Sequence, residues 1–93
     1  MRKIEQQMIE FIRSKEVSDG EHWKSGNTRV THPGDGMFNV YLHDNLIAYV
    51  KDGAVYPNKE MFRRWPTPTT RSRLRALGVD AYIKDRVAYI DES

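Results

Sequence analysis

Apolar residues near the N-terminus recur with the spacing of an α-helix. Four of them form one stripe, at positions i, i+4, i+7 and i+8: Ile4, Met8, Phe11 and Ile12. Charged and amide side chains, Glu5 among them, lie largely off this stripe. The pattern predicts a helix over residues 2–15 that packs its apolar face on a sheet, since a membrane-surface helix would be richer in lysine. Residues 18–20 have the composition of a turn that ends the segment.

Alternating apolar and polar residues mark residues 37–51 as a β-hairpin. Asp44 and Asn45 suit a two-residue turn, because both residue types tolerate a positive φ. That turn pairs Leu42 with Ile47 and predicts one buried face, because cross-strand partners point to the same side of a sheet. The predicted buried residues are Phe38, Val40, Leu42, Ile47 and Tyr49.

Shorter segments flank this hairpin. Residues 25–26 suit a tight turn, and residues 27–31 read as a short strand. The two glycines and one proline of residues 32–36 predict a loop. Residues 51–53 predict a second turn, and residues 54–56 a further short strand.

The next segment is ambiguous before it becomes clearly helical. Asn58 could cap a short helix over residues 58–65, but Met61 and Phe62 could equally form an edge strand. Residues 67–70 predict a helix start, because threonine accepts hydrogen bonds from free backbone N–H groups and proline suits the first turn. Gly78 fits the left-handed position that ends such a helix.

The C-terminal pattern predicts a last hairpin over residues 79–91. Asp85 and Arg86 would form its turn, with Tyr82 opposite Tyr89. The predicted order is α-β-β-β-β-α-β-β, a single α+β domain over residues 1–93 with an antiparallel sheet of hairpins.

Composition limits the classes of function. The absence of cysteine excludes disulfides and thiolate metal sites. No apolar run approaches the roughly 18–20 residues that span a bilayer, and Glu5 and Glu10 interrupt any apolar region typical of a secretory signal. We therefore expect a cytoplasmic protein with no membrane partner.

Catalytic and metal-binding motifs are missing as well. The chain has no Gly-x-Ser-x-Gly segment, and His22, His32 and His43 lack the spacing of a helical metal site. Asp35, between two glycines, fits a plain turn, because a calcium loop needs several more oxygens at fixed spacing. We expect no enzyme activity, no metal and no cofactor.

Positive charge is concentrated in residues 61–79. This segment holds five of the fifteen basic residues and none of the thirteen acids. Arginine forks bind phosphate oxygens, and a helix start adds backbone donors and a positive dipole. The segment therefore predicts a surface for an anionic partner. The candidate binding residues are Arg63, Arg64, Trp65, Thr70, Arg71, Ser72, Arg73 and Arg75.

A structural interpretation of the same residues stays open. Arg71, Arg73 and Arg75 also fit the solvated flanks of a short helix, paired with acids such as Glu60. Trp65 fits a core position, as a lone tryptophan beside a loop usually does, or a stacking contact with a base. On this predicted helix, the residues that face the protein interior are Thr70, Leu74 and Leu77.

Three segments carry a recognisable combination of residues. They are residues 23–28 (WKSGNT), 40–48 (VYLHDNLIA) and 65–77 (WPTPTTRSRLRAL). Together they resemble a family of small uncharacterised proteins found mainly in tailed bacteriophages, whose pattern runs roughly W-x-S-G-N-T-x-V, V-Y-L-H-G-N-x-I-A and W-x-T-x-T-T-x-S-R-L-N-A-L. This chain has Asp44 where the family has glycine, and Arg75 where asparagine is usual.

The resemblance implies a small phage accessory protein in the cytoplasm of a bacterial host, with no activity to transfer. Several matched positions are turn and cap residues, so the motif also fits a structural role. With the basic segment, we predict a non-catalytic nucleic-acid-binding protein. The alternative is a host-takeover protein that binds and inhibits or redirects a host protein. An edge strand at residues 54–56 or 87–91 would allow a homodimer in either case.

Overall fold

A meander of antiparallel strands forms the sheet on which the helices pack. Within residues 2–14 and 16–91, which the computed structural model describes, three helices and seven strands are present. They are, in chain order, α1 (Lys3–Arg13), β1 (His22–Ser25), β2 (Thr28–Gly34), β3 (Met37–Leu42), β4 (Asn45–Lys51), β5 (Ala54–Pro57), α2 (Lys59–Arg64), α3 (Pro68–Ala76), β6 (Asp80–Lys84) and β7 (Val87–Asp91). Strands β1 to β5 form one sheet in chain order, and β6 pairs with β7.

This arrangement confirms the predicted α+β fold with its N-terminal helix and C-terminal hairpin. The first helix occupies Lys3–Arg13 of the predicted residues 2–15. Position 15, like positions 1, 92 and 93 of the predicted domain, lies outside the described residues.

The helices cover one face of the five-stranded sheet. Met8 of α1, Phe62 of α2 and Leu74 of α3 are buried against Val30 and Val40 of the central strands. Burying each such apolar side chain contributes about 1.5–3 kcal/mol. The contacts run from α1 to α3, from α3 to β6, and from β7 to α2. The C-terminal hairpin therefore lies between α3 and α2 in the helical layer.

The sheet has one strand more than the pattern predicted. β1 pairs with β2 across a turn at Gly26, whose φ of 56° suits glycine. β1 has only four residues and lies at the edge of the sheet. Its alternation is too short to recognise in the sequence.

The prediction of a loop over residues 32–36 is wrong in its first half, because β2 continues to Gly34. Pairing with β3 is irregular between Thr31 and Gly34. This irregularity accommodates Pro33, which has no N–H to donate to the ladder. His32 is buried there, and its ring stacks on Phe38 with centroids 4.2 Å apart.

The turn of the β3–β4 hairpin lies one residue earlier than predicted. His43 and Asp44 occupy it, with φ values of 50° and 63°, and Leu42 pairs with Asn45 rather than with Ile47. A shift in pairing after Val40 then lets both strands keep their apolar residues inward.

This register corrects one predicted core residue. Phe38, Val40, Leu42 and Ile47 are buried as expected. Tyr49 instead faces the other side of the sheet, opposite Tyr56, and Val50 is buried in its place. One residue of register decides the side that a strand residue faces.

Residues 58–65 form a helix, which decides between the two interpretations. The Asn58 side chain accepts a hydrogen bond from the Met61 N–H at 3.2 Å and donates one to the Leu46 carbonyl at 2.9 Å. These bonds cap α2 and tie its start to β4. Thr67 caps α3 as predicted, with Pro68 in the first turn and Gly78 at a φ of 96° after its end.

The C-terminal hairpin matches its prediction. Asp85 and Arg86 form the turn with positive φ, and Tyr82 lies opposite Tyr89. The two tyrosine rings stack with centroids 5.2 Å apart on the exposed face of the hairpin.

Candidate nucleic-acid interface

Arg73, one of the candidate contact residues, is inside the protein. Its side chain is 4% exposed, so the expectation that it flanks α3 in solvent is wrong. Its Nη1 donates to Glu5 Oε2 at 2.7 Å, and its Nε donates to Thr28 Oγ1 at 3.0 Å. Its Nη2 reaches Asn27 Oδ1 at 3.5 Å. The guanidinium thus joins α3, α1 and the start of β2.

Glu5 is the counter-charge of this arginine and is also buried, although its position off the apolar stripe predicted a surface residue. Burial raises the pKa of its carboxyl. Hydrogen bonds from Ser72, Arg73 and the Arg2 backbone N–H lower the pKa, as does the positive charge of Arg73, and together these effects outweigh burial. The net pKa of Glu5 lies below its ordinary value of 4.5. The carboxylate therefore stays ionised and compensates Arg73.

Two further candidates have structural partners. The Ser72 hydroxyl donates to Glu5 Oε2 at 2.5 Å. Thr70 is buried, and its N–H donates to the Thr67 hydroxyl at 3.2 Å. Both side chains hold α3 in place and turn their hydroxyls toward protein.

The network also explains part of the sequence pattern. Asn27, Thr28, Ser72 and Arg73 belong to separate conspicuous segments of the sequence, yet they meet around one buried ion pair. These motif positions therefore build the fold.

The other five candidates lie at the surface. Arg64 pairs with Glu60 at 3.6 Å within α2, an exposed pair of small energetic value. Within residues 2–14 and 16–91, Arg63, Arg71 and Arg75 have no carboxylate within 4.0 Å. Trp65 is 56% exposed, which excludes the core position from its two interpretations.

The exposed arginines line two grooves. Arg71 and Arg75 line a groove of 380 Å³ between α1 and α3, together with Arg2. Arg63 lines a groove of 280 Å³ between α2 and β7, together with Lys59. The hairpin separates these two grooves in the helical layer.

Arg2 is a basic residue of this surface that the sequence did not indicate. It precedes α1, and no pattern predicts that α1 lies beside α3. The floor of the Arg71–Arg75 groove includes Glu5 and Ser72, whose oxygens are already bonded within the fold. The groove therefore presents positive charge.

Histidine and acid side chains do not converge in the part of the chain that the structure describes. No group of three His, Cys, Asp or Glu residues there could hold a metal ion. His32 Nδ1 lies 2.7 Å from the Met37 carbonyl oxygen, a contact that fixes the buried ring. No helix of the described residues is both long and apolar enough to cross a membrane.

A family model described as "Kyanoviridae Gp96 protein" matches residues 1–92. No curated protein and no solved structure matches the chain.

Proposed function

We propose that this chain, which belongs to the Kyanoviridae Gp96 protein family, is a non-catalytic accessory protein that binds nucleic acid through its exposed arginines. The family is one of cyanophage proteins, and membership confirms the resemblance to small phage proteins seen in the sequence. In this proposal the protein acts in the cytoplasm of the infected bacterial cell.

The observation that carries the proposal is the contrast between Arg73 and its neighbours. Arg73 has a buried carboxylate partner, whereas Arg71 and Arg75 on the same helix have none among the described residues. Arginine side chains without an internal partner are available for phosphate oxygens, which they bind with two parallel N–H groups. With Arg2 opposite them across the groove, they form a compact set of cations.

Trp65 supports the same proposal. It lies at the C-terminal end of α2, next to Arg64 and just before α3. An exposed indole beside arginines can stack on a nucleic-acid base, whatever the sequence, because every base has an aromatic face.

The test is salt-dependent binding to a short fluorescently labelled duplex and to a single strand. Each phosphate contact steepens the slope of log affinity against log salt by about 0.9 on a duplex. The double variant Arg71→Glu/Arg75→Glu should bind at least tenfold more weakly, with a slope reduced by about two contacts.

The matched control is Arg13→Glu/Arg86→Glu. It makes the same change in charge at exposed arginines, one at the end of α1 and one at the tip of the last hairpin. Equal losses in both double variants would show only an effect of net charge. Wild-type affinity that does not change with salt would exclude phosphate binding.

A second candidate, binding to a host protein, is favoured by one surface. Tyr82, Val87 and Tyr89 are exposed together on the two-stranded hairpin. Aromatic residues of this kind are enriched at protein interfaces. A photo-crosslinker at position 82 that captures one defined host protein after nuclease treatment would support this candidate.

An edge-strand homodimer also remains a proposal. β5 ends the five-stranded sheet, and β7 pairs with β6 alone among the described strands. Unpaired strand edges can join across a two-fold axis. The test compares the sedimentation of the wild type with that of a Tyr56→Pro variant, which would disturb the β5 edge. A dimer that forms through this edge should be lost in the variant.

A further inference from the structure

The face of the five-stranded sheet turned away from the helices differs in composition from the helical face. We call it the open sheet face. Its outward side chains alternate with the buried ones along each strand. Its principal residues are Lys24, Arg29, Tyr41, Tyr49, Lys51 and Tyr56.

Aromatic rings cover one part of this face. Tyr49 of β4 and Tyr56 of β5 stack with centroids 4.9 Å apart and an angle of 18° between their planes. Tyr56 is 46% exposed, although a tyrosine of the core would be covered. Tyr41 lies on the neighbouring strand β3. Tyrosines therefore lie on three adjacent strands of this face, the stacked pair on β4 and β5 and Tyr41, opposite Leu46, on β3.

Positive charge covers the rest of the face. The Arg29 guanidinium carbon lies 4.5 Å from the centroid of the Tyr41 ring, and Lys24 pairs with Arg29 across the strands. Lys51 adds a cation near the turn that follows β4. Within the described residues, none of the five strands contains Asp or Glu.

The Arg29 side chain is not fully engaged by the fold. Its Nη2 lies 3.7 Å from Asp44, whose side chain is 88% exposed at the hairpin turn. Such exposed pairs contribute little and exchange readily. Its buried Nε has no hydrogen-bond partner among the described residues. Arg29 can therefore give up Asp44 for a phosphate without loss of a strong internal bond.

Polar residues continue the row of the two stacked tyrosines across the sheet. Thr31, Asn39, Tyr49 and Tyr56 form one row across four strands. The amide of Asn39 has donors and acceptors suited to base edges. A shallow groove of 420 Å³ leads onto this row; Lys24, Arg29 and Thr31 line it, together with one acid, Glu21.

We propose that the open sheet face binds single-stranded nucleic acid. Bases stack on Tyr49 and Tyr56, while phosphates contact the cations of the face, including Arg29 above the Tyr41 ring. The proposal rests on the nucleic-acid binding inferred above and adds both a second surface and the form of the ligand. A single strand fits better than a duplex, because its bases are free to stack on aromatic side chains.

Charge argues against the other occupants. Two copies of this chain meeting face to face would bring Lys24, Arg29 and Lys51 toward their counterparts, and juxtaposed like charges are unfavourable. An acidic protein would satisfy the charges, but it would leave the flat stacked rings without matching partners. A polyanion with aromatic bases satisfies both.

The first test compares tyrosines from two stacked pairs. Tyr49→Ala/Tyr56→Ala removes the stacked pair of the open sheet face, and Tyr82→Ala disrupts the stacked pair of the last hairpin while keeping Tyr89, which lines the Arg63 groove. Affinity for labelled oligothymidylate is measured at fixed salt. Since stacking contributes about 1–3 kcal/mol per base, the first variant should bind at least tenfold more weakly and the second as the wild type does.

The second test needs no variant and so does not depend on its folding. A single strand carrying photoreactive thymidine analogues is crosslinked to the wild type, which is then digested with trypsin. The tyrosines of the open sheet face lie on peptides 30–51 and 52–59, whereas Trp65 lies on peptide 65–71. We expect crosslinks on the first two peptides, whether or not Trp65 is crosslinked as well.

The outcomes separate the two proposals. Crosslinks only on 65–71, or equal binding by the Tyr49/Tyr56 variant and the wild type, would overturn the open sheet face while leaving the arginine grooves in place. Two surfaces would be established by the following pair of results. The Tyr49/Tyr56 variant loses single-strand binding but keeps duplex binding, and Arg71→Glu/Arg75→Glu loses duplex binding. Binding to neither nucleic acid would overturn both proposals.

Discussion

Arg73 Nη1 donates a 2.7 Å hydrogen bond to Glu5 Oε2, and each side chain is only 4% exposed. The two residues are 68 positions apart in the chain. Their contact joins the first helix to the third, beside the start of β2. The most basic segment of the sequence is thus anchored by one of its own arginines, while the arginines on either side remain at the surface.

The first prediction concerns the stability of this pair. Arg73→Met leaves the Glu5 carboxylate buried without its cation, and breaking a buried pair in this way costs about 3–5 kcal/mol. Glu5→Met/Arg73→Met removes both charges and should recover most of that loss, because apolar replacement of a buried pair is often neutral. Urea unfolding of the wild type, the single variant and the double variant gives the free energy of unfolding of each.

Arg71→Met is the matched control for the same helix. Its side chain has no carboxylate partner among the described residues, so we expect a change within about 0.5 kcal/mol. A similar small change for Arg73→Met would show that the buried pair contributes nothing to stability.

The second prediction follows from the lowered pKa of Glu5. A carboxyl whose pKa is lower in the folded state stabilises the fold above its unfolded pKa, and this contribution is lost as the pH falls through the folded pKa. Glu5→Gln has no such titration. The difference in unfolding free energy between wild type and Glu5→Gln should therefore be largest at neutral pH and shrink below pH 4.5.

Parallel curves for the two proteins over that range would contradict the lowered pKa. The measurement is urea unfolding at a series of pH values with constant ionic strength. Glu10→Gln, on the exposed side of the same helix, serves as the control and should show no such convergence.

Much of the fold follows from local patterns. The 3.6-residue stripe, the turn residues at Asp85 and Arg86, and the threonine cap at Thr67 each act within a few residues, so the sequence alone predicts them. The register of β3 on β4 depends on whether His43 or Asn45 joins Asp44 in the turn. Both choices have acceptable turn chemistry, and only packing of the whole sheet decides between them.

Local sequence patterns predict the candidate site less well than they predict the fold. A helical wheel places Arg73 on a flank, because hydrophobicity alone treats every arginine as solvent-exposed. Its burial requires a carboxylate from a distant helix, and Glu5 is identifiable as that partner only once α1 and α3 are known to be neighbours. For the same reason the open sheet face is invisible until the register turns Tyr49 outward.

The third prediction concerns Trp65. Because its side chain is 56% exposed, Trp65→Ala should change the unfolding free energy by no more than about 0.5 kcal/mol. The affinity of Trp65→Ala for single-stranded nucleic acid should fall about tenfold, because the indole no longer stacks on a base, and Trp65→Phe should retain most of the affinity. A loss of more than about 2 kcal/mol in stability would instead indicate a core role.

The last prediction uses Asp44, the carboxylate nearest to Arg29. Asp44→Asn keeps a residue that tolerates the left-handed φ of 63° and removes only the charge. The open sheet face then loses its closest competing anion, so affinity for oligothymidylate should rise severalfold while stability stays within about 0.5 kcal/mol. Asp85→Asn is the matched control, since Asp85 is likewise an aspartate in a two-residue hairpin turn, with a positive φ of 52°. Both variants change the net charge equally, so an equal gain in both would reflect net charge alone, whereas a gain confined to Asp44→Asn would locate the strand beside Arg29.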